Sequence, residues 1–156
     1  RVSEIQIGND VIIDDFCVIT GGINIGSNIH IASFSFLYGG DKGIVMDDLS
    51  GLAMRVTVTT SSDDYTGRSM TNPTVPNKFK PLSKKERITI GRHAIIGTGA
   101  VVLPGAMIAE GVALGALSTT SMPTDPWALY QGIPAKKIME RSKHALELEK
   151  AFLAEK

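Results

Sequence analysis

Between Ile90 and Thr120 apolar residues return every six positions, at Ile90, Ile96, Val102, Ile108 and Leu114, with Thr120 closing the series. Four places after these teeth come small or β-branched residues, Ala94, Ala100, Ala106, Val112 and Ser118, and Gly91, Gly97 and Gly115 directly follow three of them. A half-buried strand alternates with period two and a helix repeats about every 3.6 residues, so neither produces strict sixes. A fixed hexapeptide period points to a parallel β-helix, in which stacking neighbouring coils buries a face that one coil alone leaves open. The same comb fits the N-terminal part at Ile7, Ile13, Ile19, Ile25, Ile31 and Leu37, with Val11, Cys17, Ile23, Ile29 and Ser35 four places on.

Three teeth make a triangular coil, so residues eighteen apart stack in neighbouring coils, ~4.8 Å from one another. Ile7, Ile25 and Met46 are expected to share one face, Ile13, Ile31 and Leu52 a second, and Ile19, Leu37 and Val58 a third. The tooth after Leu37 is delayed by three residues within YGGDKG, which reads as a bulged corner. Between Val58 and Ile90 the comb fails. That stretch holds Pro73, Pro76 and Pro81 among turn-forming residues, which predicts an extruded loop over about 59–89, an insertion and not a domain boundary. After Thr120, prolines at 123, 126 and 134 end the ladder, and Pro134 suits the first turn of a helix. Ile138, Met139, Ala145, Leu146, Phe152 and Leu153 then recur at helical spacing, with Arg141, Lys143, Glu147 and Lys150 mostly opposite. The expected organisation is a β-helix domain over 1–122 carrying the loop 59–89, then a linker and amphipathic helix over 123–156. That helix caps the coil or packs on a neighbouring subunit.

At 156 residues the chain has the length of one domain. No apolar run approaches the ~18 residues of a membrane span, and no signal-peptide pattern opens the chain. The repeat is already established just behind Arg1, without an initiator Met, which predicts that earlier coils or a start residue precede it. The lone Cys17 falls on a core-filling position and fits a reducing, cytoplasmic setting. Net charge is zero but unevenly spread. Up to Asp64, nine acidic residues face only Arg1, Lys42 and Arg55, whereas Lys78, Lys80, Lys84, Lys85, Arg87 and Arg92 face only Glu86. The basic run suits a local anionic ligand better than a polymer such as DNA, or else it is a solvated loop.

The stretches ITIGRHAIIGTGAVVLPGAMI, LGALS and QGIPAKKI resemble the hexapeptide-repeat acyltransferases, and the likeness covers essentially the whole chain. Within that family HIASFSFLYGG, SSDDYTG and MTNPTVP look most similar to sugar O- and N-acetyltransferases of bacterial surface-polysaccharide biosynthesis. The resemblance implies a left-handed parallel β-helix, acetyl-CoA as co-substrate, a homotrimer, and active sites at the subunit interfaces. It also implies that late-coil backbone amides near Gly97, Thr98, Gly115 and Ala116 contact the pantetheine, with Lys136 and Lys137 near the nucleotide phosphates. Small residues at those positions equally serve coil geometry.

Acyl transfer from a thioester needs a base for the attacking hydroxyl or amine and a donor for the tetrahedral oxyanion. The family commonly places a His after its third face, where VTVTTSSDD here carries Asp63. A free carboxylate, with a pKa near ~3.9 against ~6.5 for His, is a weak base. Asp63 and Asp64 therefore read as a perturbed pair, as anchors for the sugar, or as a solvated turn. His30 immediately precedes the tooth Ile31, so its side chain is expected to point outward from a flat face. It is the preferred base, with Asp63 or Asp64 as partner, or else a structural histidine. His93, at a coil corner, is second choice, and His144 falls on the terminal helix. Tyr38, Tyr65, Arg68 and Asn72 are candidate sugar contacts, and Trp127 is expected to pack the helix onto the coil.

The expected function is acetyl transfer from acetyl-CoA to a sugar hydroxyl or amino group. One alternative is an N-acetyltransferase specific for a nucleotide-linked amino sugar; another is a non-catalytic β-helix subunit. A zinc-dependent carbonic anhydrase on the same coil needs three His ligands, two of them close in sequence, and His30, His93 and His144 lack that spacing. No metal is expected, and no nucleic-acid partner.

Overall fold

The computed structural model describes residues 4–155 and is a parallel β-solenoid with three faces. On the first face Ile7 pairs with Ile25, Ile25 with Met46, Met46 with Ile90, and Ile90 with Ile108. The second stacks Ile13, Ile31, Leu52, Ile96 and Leu114, and the third Ile19, Leu37, Val58, Val102 and Thr120. All three stacks expected from the hexad spacing are present. The ladder closes through bonds such as Ile95 N–H to Val112 C=O at 2.9 Å and Gly51 N–H to Ala94 C=O at 2.9 Å.

The teeth from Ile25 to Thr120 are buried, as are the fillers Ala94, Ala100, Ala106, Val112 and Ser118. Each fully buried aliphatic side chain contributes about 1.5–3 kcal/mol relative to exposure. Ile7 and Ile13 remain exposed, because among the described residues their coil has a neighbour on one side only. Two columns of left-handed residues turn the corners. Asp10, Asn28, Leu49, His93, Gly111 and Trp127 form one, and Phe16, Phe34, Arg55, Gly99 and Leu117 the other. Along both columns amides donate to the coil beneath, as Gly111 N–H does to Arg92 C=O at 2.8 Å and Trp127 N–H to Glu110 C=O at 2.8 Å. These bonds hold non-glycine residues in a conformation that costs about 1–2 kcal/mol each.

The delayed tooth lies within a continuous strand, Phe36–Met46, whose pairing with Val18–Ile25 shifts register around Gly21. The insertion leaves the third face after Thr57–Thr59 and is closed at its base by Ser61–Ser62 pairing antiparallel with Lys84–Lys85. The ladder resumes at Ile88–Ile90.

The C-terminal helix is shorter than the spacing predicts. Ala135–Glu140 is a strand, folded back antiparallel on Ala128–Gly132, and Pro134 lies in the turn between them. Ala128–Gly132 adds the last strand to the second face through Leu114 and Tyr130, leaving an open edge. Satisfying that edge outweighs local helix preference in Ala135–Glu140. The helix runs only over Ala145–Ala154 and has no buried residue; Leu148, Phe152 and Leu153 are exposed. No helix among the described residues is long and apolar enough to cross a membrane.

Candidate active site

The faces that meet at the corner column from Phe16 to Leu117 each carry a cavity. The cavity on the third face, about 450 Å³, lies between the solenoid wall and the insertion. Phe36 and Tyr38 form its wall, Asp63 and Asn72 its upper side, and Lys80 and Lys85 project from the returning limb of the loop. The wall residues face outward by strand alternation, because Leu37 between them is core. The Asp63 carboxylate accepts the Asn72 amide on Oδ2 at 3.1 Å.

The groove on the second face, about 400 Å³, is lined by His30, Ala32, Gly51, Ala53, Met54 and Ile95, with Thr98 at one side. His30 points outward, as its position before Ile31 predicts. Its partner is Asp14, with Nε2 3.0 Å from Asp14 Oδ2, and neither Asp63 nor Asp64. Within one chain His30 and Asp63 line separate cavities on separate faces. Asp14 escaped the reading of the sequence, although a signal was present. Ile12 pairs with His30, and Asp14 lies two residues further along the same outward side.

Asp64 is poorly suited to act as a base. Its Oδ1 accepts the Thr66 hydroxyl at 2.6 Å and amide at 2.9 Å, and Oδ2 accepts the Arg68 amide at 2.9 Å. The Thr66 bonds hold this carboxyl below its ordinary pKa. Of the expected sugar contacts, Tyr38 and Asn72 line the third-face cavity. Tyr65 is 93% exposed, and Arg68 turns back to donate from Nε to the Thr66 hydroxyl at 3.0 Å.

Of the expected donor contacts, only Thr98 reaches the groove lining. The Gly97 amide already donates to Leu114 C=O at 2.7 Å, and the Gly115 amide to Tyr130 C=O at 2.8 Å. A Cβ at Gly97 would lie 2.6 Å from the Ala116 nitrogen, so Gly97 and Ala116 mark close coil-on-coil approach. Lys136 is exposed on the hairpin. Lys137 is tied to Glu140 at 2.7 Å and Asp125 at 3.1 Å, which push its pKa upward.

His93 is fixed by other work. Its Nε2 lies 2.6 Å from Glu149 Oε2, Arg92 bonds Oε1 of the same carboxylate, and Arg92 also reaches Asp48 at 3.2 Å. The hydrogen bond from Arg92 first, then that from His93, lowers the Glu149 pKa from 4.5 to about 2. This ionic latch joins the terminal helix to the coil corner, so His93 is not available as a base. Trp127, 4% exposed, packs against His93 and the corner residue Gly111. His144 bonds Glu147 on its own helix at 2.9 Å. The basic run is likewise divided: Lys78 lies over Phe79, Lys84 faces Glu86, Arg92 is in the latch, and Lys80 and Lys85 enter the cavity. No group of three or more His, Cys, Asp or Glu among the described residues could hold a metal ion.

The solenoid of six-residue steps thus carries an apolar groove on one face and a charged cavity under an inserted loop on the next. No family model matches the chain. Its relatives are nonetheless clear. It is 43% identical over 151 residues to the dTDP-4-amino-4,6-dideoxy-D-glucose acyltransferase of Escherichia coli, a match covering 95% of this chain and 78% of that protein. It superposes on AntD, an N-acyltransferase from Bacillus cereus, in complex with dTDP and 3-hydroxybutyryl-CoA. The TM-score is 0.95 at 41% identity, over 97% of this chain and 80% of that one. A serine-to-alanine mutant of AntD, in complex with dTDP-4-amino-4,6-dideoxyglucose and coenzyme A, gives a TM-score of 0.95 at 41% identity over 97% and 81%. The chain therefore belongs to the hexapeptide-repeat sugar acyltransferases, and it is an enzyme.

Proposed function

We propose that this acyltransferase moves an acyl group from acetyl-CoA or a short-chain homologue to the amino group of a dTDP-linked 4-amino-4,6-dideoxy sugar, within surface-polysaccharide biosynthesis. The observation that carries this reading is the make-up of the third-face cavity: two aromatic rings, two ammonium groups, one carboxylate and no histidine. Phe36 and Tyr38 suit a nucleobase, and Lys80 and Lys85 suit a diphosphate. Asp63 suits an ammonium group. A neutral amine is already nucleophilic and needs orienting more than deprotonating before it attacks, a task that the Asp63 carboxylate suits. The relatives agree, being named for or complexed with the same amino sugar.

In this reading Asp63 orients the acceptor, and the amine in its neutral form attacks the thioester carbonyl. The tetrahedral intermediate collapses with departure of the CoA thiolate, and the amine loses its proton. The groove on the second face takes the donor's thin pantetheine arm along Gly51, Ala53 and Thr98, which places the His30–Asp14 pair beside the thioester to receive that proton. Because groove and cavity lie on different faces, a complete site needs the groove of one subunit against the cavity of the next, as in a homotrimer. The exposed corner residues Phe16, Phe34, Met54 and Leu117 between the two faces supply apolar surface for that contact. A free thiol at Cys17 and these two substrates suit the cytoplasm.

The test is CoA release from acetyl-CoA and 3-hydroxybutyryl-CoA with dTDP-4-amino-4,6-dideoxyglucose, beside the 4-hydroxy analogue. Turnover is expected with the amino sugar alone; turnover confined to the hydroxy sugar would overturn the assignment.

A further inference from the structure

The insertion makes one internal chain of contacts that its cavity-lining role does not require. Asp63 Oδ2 is held by the Asn72 amide at 3.1 Å, and the Asn72 carbonyl is in turn held by Lys80 Nζ at 2.7 Å. Asn72 sits in the left-handed region at φ 66°, which asparagine tolerates better than other side-chain-bearing residues. Its own Oδ1 accepts the Thr74 amide at 3.0 Å and hydroxyl at 2.6 Å, closing a local turn that keeps the peptide in that orientation. Lys80 is placed by the short 3₁₀ turn Asn77–Phe79, its amide donating to Asn77 C=O at 2.9 Å. All three residues of the relay line the same cavity.

We propose that Lys80 and Asn72 are positioning residues for Asp63. The ammonium fixes the Asn72 peptide, and the Asn72 N–H fixes the carboxylate, leaving Asp63 Oδ1 for the acceptor amine. A lysine ammonium has three donors, so Lys80 holds Asn72 with one and offers the others to the sugar nucleotide's diphosphate. Occupation of the phosphate end and orientation of the amine end are thereby linked through one side chain. Lys85 lines the cavity too, but its backbone belongs to the strand pair at the loop base and it has no part in the relay. This inference rests on the amino-sugar reading above.

The two lysines separate on an acceptor that lacks phosphate. Steady-state kinetics would be measured with dTDP-4-amino-4,6-dideoxyglucose and with free 4-amino-4,6-dideoxyglucose, for wild type, Lys80→Met, Lys80→Arg and Lys85→Met. Lys80→Met is expected to lose roughly tenfold in kcat/KM on both acceptors, the scale of one hydrogen bond to a charged group. Its KM for acyl-CoA is expected to stay unchanged, and Lys80→Arg to recover most of the loss. Lys85→Met is expected to lose only on the nucleotide-linked sugar. If wild type is active and Lys80→Met behaves like Lys85→Met, losing nothing on the free sugar, the relay is overturned alone. A wild type inactive on the nucleotide-linked amino sugar overturns the acceptor reading, and the relay with it.

Discussion

Replacing Gly111 by Ala should test how tightly the C-terminal hairpin is seated on the solenoid. Gly111 occupies a corner column at φ 67°, and a Cβ there would lie 2.3 Å from Trp127 Cδ2 and 2.6 Å from Cε2 and Cε3. The indole has little freedom to yield, since it is buried, its backbone amide is bonded to Glu110, and its other side meets His93 at 5.8 Å between centroids. Two costs combine: left-handed strain on Ala of about 1–2 kcal/mol, and overpacking of about 1–3 kcal/mol. The stiffer unfolded chain offsets about 0.4–1 kcal/mol. The net destabilisation is about 1–4.6 kcal/mol, and at about 2–4 °C per kcal/mol for this size it lowers Tm by about 2–18 °C. Gly67 supplies the control, because it has φ 76° but nothing within 4 Å of the built Cβ. Gly67→Ala carries the strain and the same unfolded-chain offset without the collision, and should lower Tm by no more than about 6 °C. Thermal unfolding followed by circular dichroism reads both. Equal shifts in the two variants would refute the rigid seating of Trp127.

Asp63→Asn should lower kcat/KM for the amino sugar by roughly 10- to 150-fold, from loss of one charged hydrogen bond, and leave the KM for acyl-CoA unchanged; a loss under threefold would remove Asp63 from the acceptor site. His30→Ala should collapse turnover while acetyl-CoA affinity, measured by calorimetry, stays nearly intact; wild-type rates in that variant would show that the His30–Asp14 pair handles no proton. Glu149 contributes through the latch, and its folded pKa of about 2 lies below its ordinary 4.5. A depressed acid pKa stabilises the fold fully above about pH 4.5 and is lost as pH falls toward 2. The Tm gap between wild type and Glu149→Gln should therefore shrink as pH falls from about 4.5 toward 2; a gap that does not change over that range would dissociate the latch from the charge on Glu149.

Much of the architecture is legible along the chain because a solenoid is nearly one-dimensional. Each residue's neighbours lie a fixed number of positions away, so the six-residue spacing of Ile90, Ile96 and Val102 already states which side chains stack. Even the delayed tooth at Met46 and the prolines at 73, 76 and 81 mark where the rhythm is interrupted. The strand at Ala135–Glu140 was not legible, because its conformation answers to an open sheet edge made by residues elsewhere. Glu149 was equally silent: nothing in a helical surface glutamate announces that Arg92 and His93 wait beneath it.

The residues of the site divide along the same line. His30 was expected to point outward because alternation is local, and Tyr38 and Asn72 belonged to stretches that break the repeat. What the tertiary structure decided was company: His30 with Asp14, Asp63 with Asn72 and Lys80, Gly97 and Gly115 with the coil ladder. Periodicity determines position along and around the solenoid to within one residue, since coil stacking is strictly repetitive. Hydrogen-bond partners depend on how the irregular insertion, residues 60–87, folds back on the wall, and no period governs that.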